Sequence, residues 1–386
     1  MTHKVVIVGA GIGGLAAASA LRADGHEVTV LERAVEFTPL GAGLSVWPNG
    51  SHALRALGLD EVVDSAGVPR GDGGIRRASD GSLIAASNTE ELEARYGAPL
   101  ALVHRGDLQH ALLEAAGPKT VRFGATVAGV DESGSVTLAD GETLEADVIV
   151  GADGIRSVVR ERLLGDGEPI ASGYVAYRSV VDWPDDVPAG EYWGRGEVFG
   201  IAPLSRGRVY WYAALPLAGD VDEDPQEQLD RLRERYASWT APIPSILATT
   251  ESGKLLRHEL LGRDPIDRWG LGRVTLLGDA AHPMLPFLGQ GACCALEDAV
   301  ALRGALGEAG DNGGVEAELR SYEAERTSRA AGLVKGSRAA GRVAMASSFL
   351  GTRLRNLAVG AMPDRMRMRQ FDRVVATRGA MATRPM

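Results

Sequence analysis

Cysteine is nearly absent from this 386-residue chain: Cys293 and Cys294 are the whole complement, and they are neighbours. Adjacent cysteines make no plausible disulfide framework or metal-ligand pattern, so no metal is expected and both read as small buried residues. Aromatics are scarce, at 5%. A positive excess is missing too, since the formal net charge is -10. That argues against a nucleic-acid partner, because neutralising phosphates needs clustered cations. No apolar run reaches the roughly 20 residues that span a bilayer. The first such run, from Val5, turns at once into a glycine motif instead of a leader. A cytoplasmic protein without an integral membrane segment is expected, as a monomer or homodimer.

What is present in quantity is glycine, 50 residues, beside a hydrophobic fraction of 45%. A chain of this length exceeds one ordinary domain, so two interlocked domains are expected. Charge is uneven along it. From Arg320 to the end there are fourteen Lys and Arg against four acids. This reads either as solvated C-terminal helices or as a surface for an anionic ligand, partner or membrane.

Lys4-Val5-Val6-Ile7-Val8 reads as a strand buried on both faces of a parallel sheet, followed by a turn over Gly9 to Gly14. A helix over Leu15 to Ala23 and a strand over Glu27 to Glu32 complete a βαβ unit. Residues 37 to 60 read as a loop and then a helix. Asp107 is expected to cap a helix reaching Ala116. Short strands follow near Val121, Val127 and Val136, then a buried strand, Val148-Ile149-Val150. Longer strands are expected over Tyr174 to Val181, Glu191 to Pro203 and Arg208 to Leu215, with a helix within 225 to 250. The chain then returns to an apolar strand, Val274 to Leu277, and is mainly helical beyond 290. The expected division is 1–165 as the first part of a nucleotide-binding domain, 166–265 as an inserted substrate sheet, 266–320 as the second part, and 321–386 as C-terminal helices.

Three glycine signatures carry the chemistry. Gly9, Gly11 and Gly14 supply G-x-G-x-x-G, with Gly13 between them. The first glycine allows the sharp turn, the second lets the backbone approach a pyrophosphate, and the third permits close helix–strand packing. Glu32 lies about twenty residues on, where an acid accepts bonds from the adenosine ribose. In Gly151-Ala152-Asp153-Gly154, Asp153 either serves a ligand at the sheet edge or caps the next helix. The third signature runs from Gly278-Asp279 through His282, Pro286, Phe287, Gly289, Gln290, Gly291 and Ala292. There Asp279 suits a ribityl hydroxyl, and the amides opening a helix suit the electron-rich edge of a flavin. His282 reads as structural in preference to a base.

Together these motifs resemble the group A flavoprotein monooxygenases, the p-hydroxybenzoate and salicylate hydroxylase family, over Val5 to about Tyr322. The run from Gly41 through Ser45 to Gly50, Gly173-Tyr174-Val175 and Glu297-Asp298-Ala299 are similar to urate hydroxylases within it. The resemblance implies an α/β fold: a Rossmann-like FAD-binding domain of the GR2 type, split in sequence, with an inserted β-sheet substrate domain and C-terminal helices. It implies FAD contacts from Gly13, Glu32, Arg33, Ser45, Arg105, Val127, Asp153, Asp279, Pro286 and Gly289 to Cys293, with Phe287 and Leu288 as an apolar lid over the substrate ring. It implies, further, an enzyme using NADH or NADPH and O₂ to hydroxylate a small aromatic or electron-rich heterocycle through a flavin hydroperoxide. Epoxidation or oxidation of an olefinic, indolic or polycyclic substrate is the alternative.

Tyr210 matches the family's active-site tyrosine. Tyr212 shares its strand face, because side chains alternate with period two. Either tyrosine could also be packing alone. Arg178 reads as a carboxylate ligand or a surface ion pair. Where urate hydroxylases place an aspartate, an asparagine and an arginine, this chain has Phe287, Arg178 and Val198. A more apolar substrate than urate is expected.

Overall fold

The structure, a computed structural model, describes residues 2–38, 41–67, 73–217, 224–307 and 314–375. Residues 376–386 of the expected C-terminal helices, and 39 and 40 of the expected loop, lie outside the described residues.

Lys4–Val8 forms the centre of a five-stranded sheet because its apolar side chains need cover on both faces. The order is Val274–Leu276, Val148–Gly151, Lys4–Val8, Glu27–Glu32 and Val121–Phe123, with every pairing parallel. At its carboxyl end Gly9 adopts φ +104°, and a Cβ there would lie 2.5 Å from the Ala152 carbonyl. A Cβ on Gly14 would collide with the Gly9 carbonyl. Helix Ile12–Ala23 can therefore start hard against the strand, a turn earlier than the expected Leu15.

The second large layer is a seven-stranded sheet, ordered Leu256–Gly262, Ile170–Asp182, Arg208–Pro216, Val198–Leu204, Gly190–Trp193, Gly73–Arg77 and Leu83–Ser87. The last two strands correct the expectation that residues 1–165 all serve the nucleotide-binding part, since Gly73–Arg77 pairs parallel with Gly190–Trp193. The single strand expected over Glu191 to Pro203 is two, separated by the turn at 194–197. A strand missed by the sequence reading, Gly43–Val46, pairs with Ala101–His104. The helix expected within 225 to 250 is two, Pro225–Tyr236 and Ile243–Thr249. The cap assigned to Asp107 is corrected as well. That helix begins at Arg105 without a side-chain cap, and Asp107 accepts from Arg208 at 3.0 Å.

The two faces of the large sheet differ in chemistry. Trp211, fully buried, stacks on Phe199 at 5.4 Å, and Phe199 meets Tyr236 edge-on, so this face packs against the two helices. Tyr210 and Tyr212 project from the opposite face. Helix Gly291–Gly307, the long helix Gly314–Ala344, and helices Phe349–Gly360 and Asp364–Val375 close the molecule.

Trp211→Ala is expected to lower the unfolding free energy by about 3–5 kcal/mol, measured by urea denaturation. A loss below about 1 kcal/mol would mean that this face is not close-packed.

Candidate active site

Gly11 caps helix Ile12–Ala23 without offering a side chain, so the first-turn amides are available to an anion. A Cβ on Gly11 would meet nothing within 4 Å, and Gly11, Ile12 and Gly13 line a cavity of about 1930 Å³. Gly13 also serves packing, since a Cβ there would lie 2.6 Å from Leu277 and 3.2 Å from Ala295. That absence lets helix Gly291–Gly307 lie against the first helix. Its start follows Gly289 at φ +61°, and Gly289, Gln290, Gly291 and Ala292 line the same cavity. Asp279 joins them, its Oδ1 lying 3.8 Å from the position a Gly291 Cβ would take. Desolvation raises its carboxyl pKa, opposed by His282 and Arg105. Two helix N-termini and one carboxylate therefore face a single space.

A buried polar network holds these parts in place. Arg326 donates through Nε to Asp298 and through Nη2 to Glu297, both at 2.7 Å. Asp298 also lies 2.5 Å from His282 Nε2 and accepts the Gly278 amide at 3.0 Å, which fixes the turn carrying Asp279. Glu297 takes Arg329 and, at 2.6 Å, Asn49, which donates again to Gln290. Burial would raise the Asp298 pKa, but His282 and Arg326 outweigh it and hold the group at about 2. Burial likewise opposes charge on His282, yet Cys294 and Asp298 raise its pKa well above the usual value. His282, Cys294 and Asp298 cluster closely enough to suggest a metal, but hydrogen bonding within the network already engages the Asp298 oxygens and His282 Nε2. His282 is thus a structural member, as its sequence context suggested.

Across the cavity, two absent side chains make room for two tyrosines. A Cβ on Gly43 would collide with the Tyr210 ring, and one on Gly200 with the Tyr212 ring. Strand register sets Tyr212 opposite Gly200 and Gly200 opposite Glu191. Tyr212 crosses the vacant position and donates to Glu191 at 2.6 Å, while Trp193 Nε1 donates to the other Glu191 oxygen at 2.8 Å. Burial, then Glu191, raises the Tyr212 pKa well above its ordinary value. Tyr210 is 8% exposed, and burial raises its pKa against the pull of the nearby Arg178 and Arg105. Desolvation lowers the pKa of Arg105, whose buried Nε has no protein partner.

Of the residues expected from sequence, the cavity brings together Gly11, Gly13, Ser45, Arg105, Arg178, Tyr210, Tyr212, Asp279, Pro286, Phe287 and Gly289 to Ala292. Gly9 and Gly14 stand behind it as packing positions. Glu32 is bonded by the Ala10 and Ala34 amides at 2.8 and 2.9 Å, which ties the first turn to the second strand. Arg33 is exposed, and Val127 is buried in the main core. Asp153 accepts the Val158 amide at 2.7 Å, while Ser157 caps that helix and Ala152 and Gly154 reach the cavity. Cys293 lies under the cavity floor beside Gly50, and burial pushes its thiol up to about 12. Sequence reasoning missed Glu191 and Asn49. Only Trp193, two residues from Glu191 on one strand face, signalled the first.

Residues 2–337 match the family model for the FAD binding domain. The chain is 38% identical over 379 residues to an aurachin C monooxygenase/isomerase from Stigmatella aurantiaca, covering 96% of each. It is 38% identical over 345 residues to an FAD-dependent urate hydroxylase from Mycolicibacterium vanbaalenii, covering 86% of each. The solved structure of Klebsiella pneumoniae HpxO complexed with FAD and uric acid superposes with a TM-score of 0.89 at 29% identity, covering 96% of each chain.

Gly11→Val fills space that the protein leaves empty. It is expected to cost about 1 kcal/mol of stability or less while weakening FAD at least about tenfold, an effect of about 1.4 kcal/mol. Flavin content of the purified variant reads this directly. Asp298 contributes stability above its unfolded pKa, near 3.8, which is lost as pH falls toward about 2. Asp298→Asn should flatten that acid limb and cost about 3–5 kcal/mol at neutral pH, because Arg326 and His282 stay buried without their partner. Denaturation at pH 7 and pH 3 measures both.

Proposed function

The chain belongs to the group A FAD-dependent aromatic hydroxylases, and on that premise we propose how its residues divide the work of a monooxygenase. FAD fits the site on three counts: room above Gly11, amides at two helix starts, and a carboxylate at Asp279. The amides of the first helix would hold the pyrophosphate, with Glu32, Arg33 and Val127 toward the adenosine. Asp279 would take the ribityl chain, and the Gly289 to Ala292 amides the pyrimidine edge. FAD so held supplies the redox chemistry, taking electrons from NADH or NADPH and delivering oxygen from O₂ to the substrate. Asp153 and Gly154 are proposed to meet the nicotinamide.

The ring to be hydroxylated would lie against Tyr210 and Tyr212. Tyr210, with Arg178 and Arg105 as its cationic neighbours, is proposed to give its proton in a hydrogen bond to a substrate oxygen. Tyr212 gives its proton to Glu191, so its oxygen is left to accept one. One donor and one acceptor on a buried face suit a hydroxylated or N–H-bearing aromatic ring, a small aromatic or an electron-rich heterocycle. A hydrogen bond from a ring O–H or N–H to the Tyr212 oxygen would raise the electron density of the ring without transferring the proton. Phe287 and Leu288 would keep water from the reacting face.

The observation that carries this reading is one cavity lined by Gly11 and Gly291 and also by Tyr210 and Arg178. Phenolic ligands that accelerate NAD(P)H oxidation, with isotope-labelled O₂ appearing in the product, test it. Reduction of substrate-stimulated turnover by about 100-fold or more in Tyr210→Phe, with flavin content unchanged, is the expected result. An unaltered rate would return Tyr210 to packing alone.

A further inference from the structure

We propose that the substrate carries, beyond its reacting ring, a long apolar chain that lies in a groove floored by helix Gly314–Ala344. The proposal rests on the reading of Tyr210 and Arg178 as the ring site. The cavity does not end at that site. It continues past Phe287 and Leu288 to Gly336, Ala340 and Val343 of the long helix, and across to Val359 and Met362.

Gly332, Gly336, Ala339, Ala340 and Val343 recur at i, i+4, i+7, i+8 and i+11, which puts them on one helix face. None is charged, although Lys335, Arg338 and Arg342 interleave with them. This face is not packed away: Val343 is 47% exposed, and a Cβ on Gly332 would meet nothing within 4 Å. One residue beyond Ala340 the contrast is sharp, since a Cβ on Gly341 would lie 2.6 Å from the Phe287 ring. The helix is therefore seated on Phe287 at one position and left open along the neighbouring stripe. Phe287 packs into an apolar cluster that includes Tyr212 at the ring end and Ala344 and Val359 beside the groove. Apolar surface thus runs without a break from ring site to groove.

Arg105, Arg178 and Tyr210 gather at the opposite end, and the fully buried Gln290 faces the same cavity with its amide nitrogen unpartnered among the described residues. Arg367, beside Met362, is tied down by the Ala86 and Met362 carbonyls. A ligand complementary to this distribution has a polar aromatic head and an apolar tail. A bare aromatic acid would fill the first part and leave exposed apolar wall along the rest, which burying methylenes would cover.

The test uses FAD-loaded protein and the methyl, butyl, octyl and dodecyl esters of 4-hydroxybenzoic acid, titrated against the visible flavin spectrum. A half-open groove should reward each methylene by about two- to fourfold in affinity. The octyl ester is therefore expected to bind about 100-fold or more tightly than the methyl ester. Ala339→Glu and Val343→Glu, both at exposed positions, should flatten that climb while the methyl ester binds as before. A methyl ester that binds with no gain along the series overturns the tail groove and leaves the ring site standing. Esters that never disturb the flavin, at any length, overturn both. A concentration-dependent dimer by light scattering, abolished by Val343→Glu, would assign the groove to a second copy and also overturn it.

Discussion

Arg326 is the hinge pin of this molecule's chemistry. Its guanidinium, buried between Glu297 and Asp298, joins the long helix to the helix whose start faces the cavity. Through Asp298 the same charge positions the Gly278 amide and His282, and so the turn that presents Asp279. Through Glu297 it reaches Asn49 and Gln290. Buried ions of this kind are costly unless each oxygen and proton finds a partner. Here the carboxylates bind cations and an amide, and the arrangement has little freedom to relax. The turn and helix start that line the cavity thereby take their geometry from a buried ion cluster.

Opposite this rigid polar core, the cavity wall is built from missing atoms. Gly43 and Gly200 are where Tyr210 and Tyr212 lay their rings, and Gly341 is where Phe287 seats. A methyl group at any of these positions would push an aromatic ring off that wall. The tyrosines then differ in their charged neighbours, Arg178 near one and Glu191 hydrogen-bonded to the other.

Signals within a few residues of each other were legible in sequence. The Gly9 to Gly14 turn, the acid at Glu32 and the return strand ending at Asp279 depend on local spacing, and the FAD-binding architecture followed from them. The alternation that put Tyr210 and Tyr212 on one side is equally local. Strand pairing across distance was not legible. Residues 73–87 join the large sheet through a parallel partner more than a hundred positions away, and nothing in their composition names it. Glu191 meets Tyr212 only through the register of an intervening strand. Asp107 had the right chemistry for a cap and the wrong address, because the helix starts two residues earlier and Arg208 claims the carboxylate.

The order of strands in the parallel sheet has a bearing on biosynthesis. Its central strand is made before its neighbours, which come from positions 27–32 and 148–151, and before one edge strand, from 274–276. Such distant pairings raise contact order and slow folding. The second helix start, and the arginine that anchors it, leave the ribosome later still. A nascent chain therefore displays the first helix start long before the second is made. Flavin capture belongs after both have been made, when it can lock the assembled site by mass action.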